Sequence, residues 1–139
     1  MPMQRRDDWR PRLRAYLAAQ ADVPFVWGGI DGCDCGSFAG GAVEAMTGEN
    51  PHAKVAGRYK TMKGALRALK RLGHDDHVAY AASVLTEIDP LYAQRGDIAA
   101  VPSDEGLALG VVIGAHIEVR TPQGRGVVPL TDAVRAFRV

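Results

Sequence analysis

Phe25-Val26-Trp27-Gly28-Gly29, followed after three residues by Cys33-Asp34-Cys35-Gly36-Ser37-Phe38, is the stretch on which the fold turns. Pro24, Gly28, Gly29 and Gly32 deny a regular period to Val23–Asp34, which reads as an irregular loop. Phe38, Ala39, Ala42, Val43 and Met46 then recur at helical spacing up to Gly48, so Cys35 stands at or near the first turn of a helix. A thiol placed there meets unpaired backbone N–H groups and the positive end of the helix dipole, both of which favour the nucleophilic thiolate. The bland alternative is a small buried apolar residue, the commonest fate of free cysteine.

Upstream, Asp7 and Asp8 precede Trp9, Leu13, Tyr16 and Leu17 at helical spacing, which predicts a first helix over residues 8–20 with acids in its first turn. Downstream, Glu49-Asn50-Pro51-His52 is turn chemistry. Thr61 caps a third helix with Met62, Ala65, Leu66, Leu69 and Leu72 on one face and Gly73 at its end. The other face of that helix carries Lys63, Arg67, Lys70 and Arg71, and reads as a solvated face rather than a phosphate site. Asp75 or Asp76 starts a short fourth helix through Val78, Ala82 and Leu85, which ends before Pro90.

After Pro90 the pattern changes. Ile98–Val101, Leu107–Ile113, Ile117–Thr121 and Gly126–Val128 are β-rich runs between turn residues, and Thr131-Asp132-Ala133 starts a last short helix or turn before Phe137. Helices first and a strand meander second predict an α+β domain, N-terminal helices packed on a C-terminal antiparallel sheet of four to five strands. The 139 residues suffice for one such domain, 1–139, and no repeat or linker divides them.

Composition excludes little but is consistent. Hydrophobic residues make up 47% and charged residues 24%, as in ordinary globular chains, and a net charge of +1 gives no global field to draw in nucleic acid. Met1–Asp8 is polar and no run of about 18 apolar residues occurs, so neither a signal peptide nor a membrane span is expected. Cys33 and Cys35 are too close to form an unstrained disulfide, and no further cysteine joins them; reduced thiols, no metal and no cofactor are the expectation.

Trp27-Gly28, Asp34-Cys35-Gly36-Ser37-Phe38, Arg95-Gly96-Asp97-Ile98 and Ala108-Leu109-Gly110-Val111-Val112-Ile113-Gly114 together, in this order, resemble the papain-like NlpC-type cell-wall peptidase superfamily. The likeness is closest to a small divergent branch found among phage and prophage tail genes, and runs from about Leu13 to the C-terminus. It implies a papain-like fold and a cysteine that attacks a peptide or amide bond of peptidoglycan. It also implies a histidine base at the start of the second sheet strand, and a polar residue on the next strand to orient that base. Cys35 matches the nucleophile. The base position is Ala108, two residues before Gly110, and Arg120 and Thr121 occupy the region of the orienting residue. Trp27, Gly28, Gly29 and Asp34 are the candidate substrate-binding residues beside the thiol, with Gly28 and Gly29 equally readable as positive-φ turn positions.

Other histidines are poor substitutes on the sequence alone. A two-residue hairpin at Gly114-Ala115 pairs Ile113 with His116 and Ala108 with Thr121, which puts His116 on the opposite face from residue 108 and about 17 Å along the hairpin. His52, His74 and His77 lie in the helical insert, with no demonstrable route to Cys35. Asp97 reads as a residue that fixes the start of its strand. A thiol without imidazole loses both its base and the acid for the leaving amine, and general acid-base assistance is worth roughly 10²- to 10⁴-fold.

Two functions follow from the resemblance. The first is a degenerate NlpC-like domain kept as a structural module of a phage-type tail tip, its partners tail-tip proteins. The second is an active cysteine peptidase or amidase of peptidoglycan. The expected location is the virion tail, or the bacterial cytoplasm before assembly.

Overall fold

A computed structural model describes residues 3–29, 32–104 and 106–139. Ile30 and Asp31, within the stretch read as an irregular loop, and Met1 and Pro2, within the polar start, lie outside the described residues. Four helices precede most of the sheet: α1 (Trp9–Gln20), α2 (Cys35–Thr47), α3 (Met62–Arg71) and α4 (His77–Val84). Six strands follow, β1 (Thr86–Ile88), β2 (Ile98–Ser103), β3 (Gly106–Val112), β4 (His116–Thr121), β5 (Gly124–Pro129) and β6 (Arg135–Arg138). They form one antiparallel sheet in the order β1-β6-β2-β3-β4-β5.

The α+β architecture is as expected, but the sheet has six strands rather than four or five. Thr86–Ile88 was expected to close or follow the fourth helix and instead pairs with Arg135–Arg138, a segment expected to trail a last turn. Thr86–Ile88 is the edge strand and Arg135–Arg138 lies between it and β2; Glu87 accepts two bonds from Arg135, at 2.7 and 2.9 Å, across the outer pair. Propensity over three residues cannot reveal such pairing.

Helix starts follow local chemistry. Asp34, Thr61 and Asp76 each accept a bond from the backbone N–H three residues on, satisfying one of the orphan donors of α2, α3 and α4. Asp8 does not cap α1; its carboxylate pairs with Arg12 at 2.8 Å. The basic side chains Lys63, Arg67, Lys70 and Arg71 of α3 are exposed.

Alternation along the strands divides the core between two faces. Ile98, Ala100, Leu109, Val111 and Phe137 meet α1, α2 and α4 through Leu13, Phe38, Ala42, Met46 and Val78. Ala99, Val101, Ala108, Val112, Ile117, Val119 and Ala136 form the other face, covered by Ala93, Leu130 and Ala133 from short turns. Asp97 anchors the start of β2 as expected: it accepts from Gln94 N at 2.9 Å and Arg5 Nη2 at 2.7 Å, binding the N-terminal segment to the sheet.

Register places the site. β3 pairs with β2 along its whole length to Ser103↔Gly106, and β4 pairs with β5 to Thr121↔Gly124, but the β3–β4 register ends at Gly110↔Val119. Beyond that rung the sheet divides. Gly110 is required at the rung, because a Cβ there would stand 2.6 Å from Ile117 Cγ2 and 2.8 Å from the Glu118 carbonyl oxygen. Gly110→Ala is expected to lower stability by about 1–3 kcal/mol through overpacking, read as a fall of several degrees in the thermal midpoint. An unchanged midpoint would show that β4 moves aside without cost.

Candidate functional site

Asp34 builds the site. Its Oδ1 accepts from Ser37 N at 2.8 Å, while Ser37 Oγ accepts from Asp34 N at 2.9 Å, a reciprocal capping box that fixes the first turn of α2. Its Oδ2 accepts from Gly28 N at 3.0 Å and from the Tyr59 hydroxyl at 2.5 Å. Asp34 is 1% exposed, so one buried carboxylate joins the Trp27-Gly28 loop, the helix start and the segment before α3. Gly28, at φ +94°, fits because a Cβ would overlap the Tyr59 carbonyl oxygen; its role here is a close backbone approach.

Tyr59 has a single hydroxyl proton, and Asp34 takes it. The 3.1 Å contact between Tyr59 Oη and His52 Nε2 is therefore made by an imidazole N–H donating to the phenol oxygen. That fixes the Nε2–H tautomer and leaves Nδ1 as the ring's basic atom. His52 lies against the helix start, where a Cβ on Gly36 would be 2.8 Å from its Cε1. The helical insert thus does bring His52 to the neighbour of Cys35, by folding the Pro51–Lys54 turn back onto α2. His77 also lines the site, with Nε2 donating to the Leu107 carbonyl at 2.6 Å, whereas His74 packs against the Tyr80 ring, with centroids 5.1 Å apart. His116 is exposed at the far end of β4, where its carbonyl accepts from Ile113 N at 2.8 Å as the hairpin reading requires.

Cys35 reaches the division between β3 and β4, where it packs against the apolar cluster that contains Ala108 and Val119. Burial pushes its thiol up to about 11; the Leu109 amide aimed at the sulfur opposes this, the Asp34 carboxylate adds to it, and the amides of Gly36 and Cys35 oppose it. The expectation of a stabilised thiolate fails here because desolvation and the adjacent carboxylate outweigh the helix-start amides. Cys33 is 4% exposed and its thiol is likewise raised by burial.

These groups surround a cavity of about 300 Å³ whose lining includes Trp27, Cys35, His52, Tyr59, Ala108 and Arg120. Its size suits a small ligand or a short peptide segment. Trp27 packs edge-on to Phe25 with centroids 5.0 Å apart and rests on the cluster of Val55, Tyr59 and Leu69, forming wall as well as core. Thr121 also lines the cavity, but its hydroxyl accepts from Gln123 N at 3.2 Å and so serves the β4–β5 turn. Gly29 lies beside Ser37, where a Cβ would be 3.0 Å from Ser37 Oγ. Among the described residues no group of three or more His, Cys, Asp and Glu is placed to hold a metal ion, and no helix is long and apolar enough to cross a membrane.

Sequence reasoning missed Tyr59, and it named His52 without a route to Cys35 and Arg120 only as an occupant of the orienting region. Tyr59 is 24 positions from Cys35, and only the fold brings the two together. Compared with known proteins, residues 4–139 match the model of the family described as Domain of unknown function (DUF6950). No curated protein matches the chain.

Asp34→Ala removes the cap and leaves the Gly28 amide and Tyr59 hydroxyl buried without an acceptor, an expected loss of about 3–5 kcal/mol in chemical denaturation. Burial holds His52 below its ordinary pKa, with Asp34 opposing and His77 adding to the fall. The unfolded chain binds a proton near pH 6.5 that the folded ring refuses, so stability is expected to decline as pH drops below about 6.5. His52→Gln keeps an N–H donor and is expected to flatten that decline in urea midpoints measured between pH 7.5 and 5.

Proposed function

Because the chain belongs to the family Domain of unknown function (DUF6950), a description that carries no activity, we propose its function from the sequence resemblance and the geometry of the site together: a catalytically degenerate NlpC-like, papain-type domain, associated with phage or prophage tails and retained as a structural module of the tail tip. In this reading the groove beside Trp27 and Cys35 holds a segment of a partner protein. The observation that carries it is the setting of the Cys35 thiol: the partly buried residue packs against the cluster that contains Ala108, and the thiol is raised to about 11. At pH 7 only about one such thiol in ten thousand is ionised.

The resemblance supplies the fold name and the tail context; three features support them. The cysteine heads a helix packed on an antiparallel sheet, Ala108 on β3 lines the same cavity as the thiol, and a polar-headed side chain from β4, Arg120, borders it. Hydrolysis needs a base to ionise sulfur and an acid for the departing amine. The two imidazoles in the cavity have their Nε2–H groups engaged by Tyr59 and by the Leu107 carbonyl.

One observation favours the second reading, an active cysteine peptidase or amidase cleaving peptide bonds of peptidoglycan. His52 Nδ1 is free to act as a base and lies against Gly36, the residue after Cys35. In that case His52, linked through Tyr59 to Asp34, replaces the histidine that Ala108 displaced.

Two measurements separate the readings. Cys35 is expected to react with iodoacetamide at pH 7.5 about 100-fold more slowly than an exposed thiol, with a rate that climbs until about pH 11. Peptidoglycan release is expected at background for the wild type, Cys35→Ala and His52→Ala alike. Release by the wild type that both substitutions abolish sinks the degenerate reading and establishes the peptidase.

A further inference from the structure

The segment from Pro51 to Gly73 carries seven lysines and arginines and no Asp or Glu, while the remaining residues hold ten cations against sixteen acids. A chain with a net charge of +1 thus gathers its positive charge on one stretch. All seven side chains are exposed, and none forms an ion pair among the described residues. On α3 the arrangement opposes the helix itself: Lys63 and Arg67, and Arg67 and Arg71, are like charges four apart, and Arg67 and Lys70 are three apart. A face that only meets water intersperses the two signs. This one keeps a single sign against the stability of its own helix.

The inner side of the same segment is a wall of the cavity. Val55, Tyr59, Met62, Ala65, Leu66 and Leu69 all line it, and Met62, Ala65 and Leu66 are only half-buried. Lys63 and Lys70 stand three before and four after Leu66, so both neighbour it on the helix surface, where the apolar lining meets solvent. Asp104, in the turn between β2 and β3, also lines the cavity and is exposed, so the α3 rim and the β2–β3 rim differ in sign.

A lipid bilayer does not fit this wall, because the apolar face of α3 is turned into the protein, with Ala68 and Leu69 8% and 4% exposed. Nucleic acid matches the charge but brings no apolar side chains for the cavity. Apolar residues flanked by Asp or Glu match both halves. We infer that the occupant of the groove is an acidic amphipathic segment of a partner protein, its apolar side chains in the cavity beside Cys35 and its carboxylates along the α3 rim. This rests on the reading of the groove as the holder of a partner segment and adds the charge and polarity of that segment.

The test uses acetylated, amidated octapeptides titrated calorimetrically into the full chain: Glu-Glu-Leu-Phe-Ala-Leu-Glu-Glu, the same core flanked by Lys, and the Glu-flanked peptide with Ser at the four core positions. At low salt the Glu-flanked apolar peptide is expected to bind about tenfold or more tightly than either of the others, and its advantage over the Lys-flanked one to shrink at about 0.5 M NaCl. In Lys63→Glu combined with Lys70→Glu that advantage is expected to vanish, with the thermal midpoint held because both side chains are exposed. Equal affinities for the Glu- and Lys-flanked peptides overturn the inference while leaving the groove reading intact, as does a preference that survives the double substitution. Equal binding of the Ser-core peptide shows that charge alone acts and also overturns it. Tighter binding of duplex DNA, or of phosphatidylglycerol vesicles, in competition with the Glu-flanked peptide reassigns the basic wall to that polyanion. Failure of all three peptides to bind at millimolar concentration removes the groove reading, and this inference with it.

Discussion

The Asp34 carboxylate is the interaction on which the remainder of the site depends. Four protein groups meet at this one residue: the Ser37 amide and hydroxyl, the Gly28 amide and the Tyr59 hydroxyl. A carboxylate buried to this extent is tolerated only when its lone pairs are filled, and here backbone and phenolic donors fill them. The arrangement makes the start of α2 rigid, which sets where Cys35 points. It also has a chemical consequence. The same negative charge that locks the helix start lies beside the thiol and disfavours its ionisation, so the stabilising group and the nucleophile work against each other.

The split between β3 and β4 is the second constraint. A continuous sheet would leave the helical layer and the far apolar face separated, yet Cys35 comes from the helix and packs with Ala108 and Val119 of the far face. It does so because β3 and β4 part after Gly110↔Val119, which frees the Leu109 amide to face the sulfur. The cavity and Arg120 lie in this same opening. A site formed by strand separation has backbone donors available that a paired ladder would have consumed.

Much of the fold was legible in the sequence. Phe38, Ala42 and Met46 announced α2, Thr61 and Asp76 announced the starts of α3 and α4, and the β-rich runs after Ile98 announced the central sheet, because each is a local pattern with a local cause. Thr86–Ile88 and Arg135–Arg138 were not legible, since Thr86–Ile88 is a strand through its pairing with Arg135–Arg138, 48 positions away along the Glu87–Arg135 pair, and Arg135–Arg138 is held between it and Ile98–Ala100. The site divides in the same way. Asp34, Cys35 and Trp27 sit within nine positions and could be read together. Tyr59 and His52 enter through a tertiary closure, and the buried pairing of Arg120 with Glu118, at 3.8 Å, is seen only in three dimensions.

The two imidazoles show why proximity alone does not make a base. His52 lies against Gly36, the residue after Cys35, but the proton count of one phenol requires Nε2 to donate, and burial depresses the ring's affinity for a second proton. An imidazole in that state orients Tyr59 and, through it, Asp34; its Nδ1 is available, but ionising Cys35 would create a thiolate and an imidazolium beside a carboxylate in a desolvated setting. The burial terms on both partners oppose that transfer: the thiol is raised and the imidazole lowered, so the two pKa values move apart in the direction that keeps both neutral. A reacting pair requires the opposite ordering. In this state the Cys35 thiol forms part of the cavity wall.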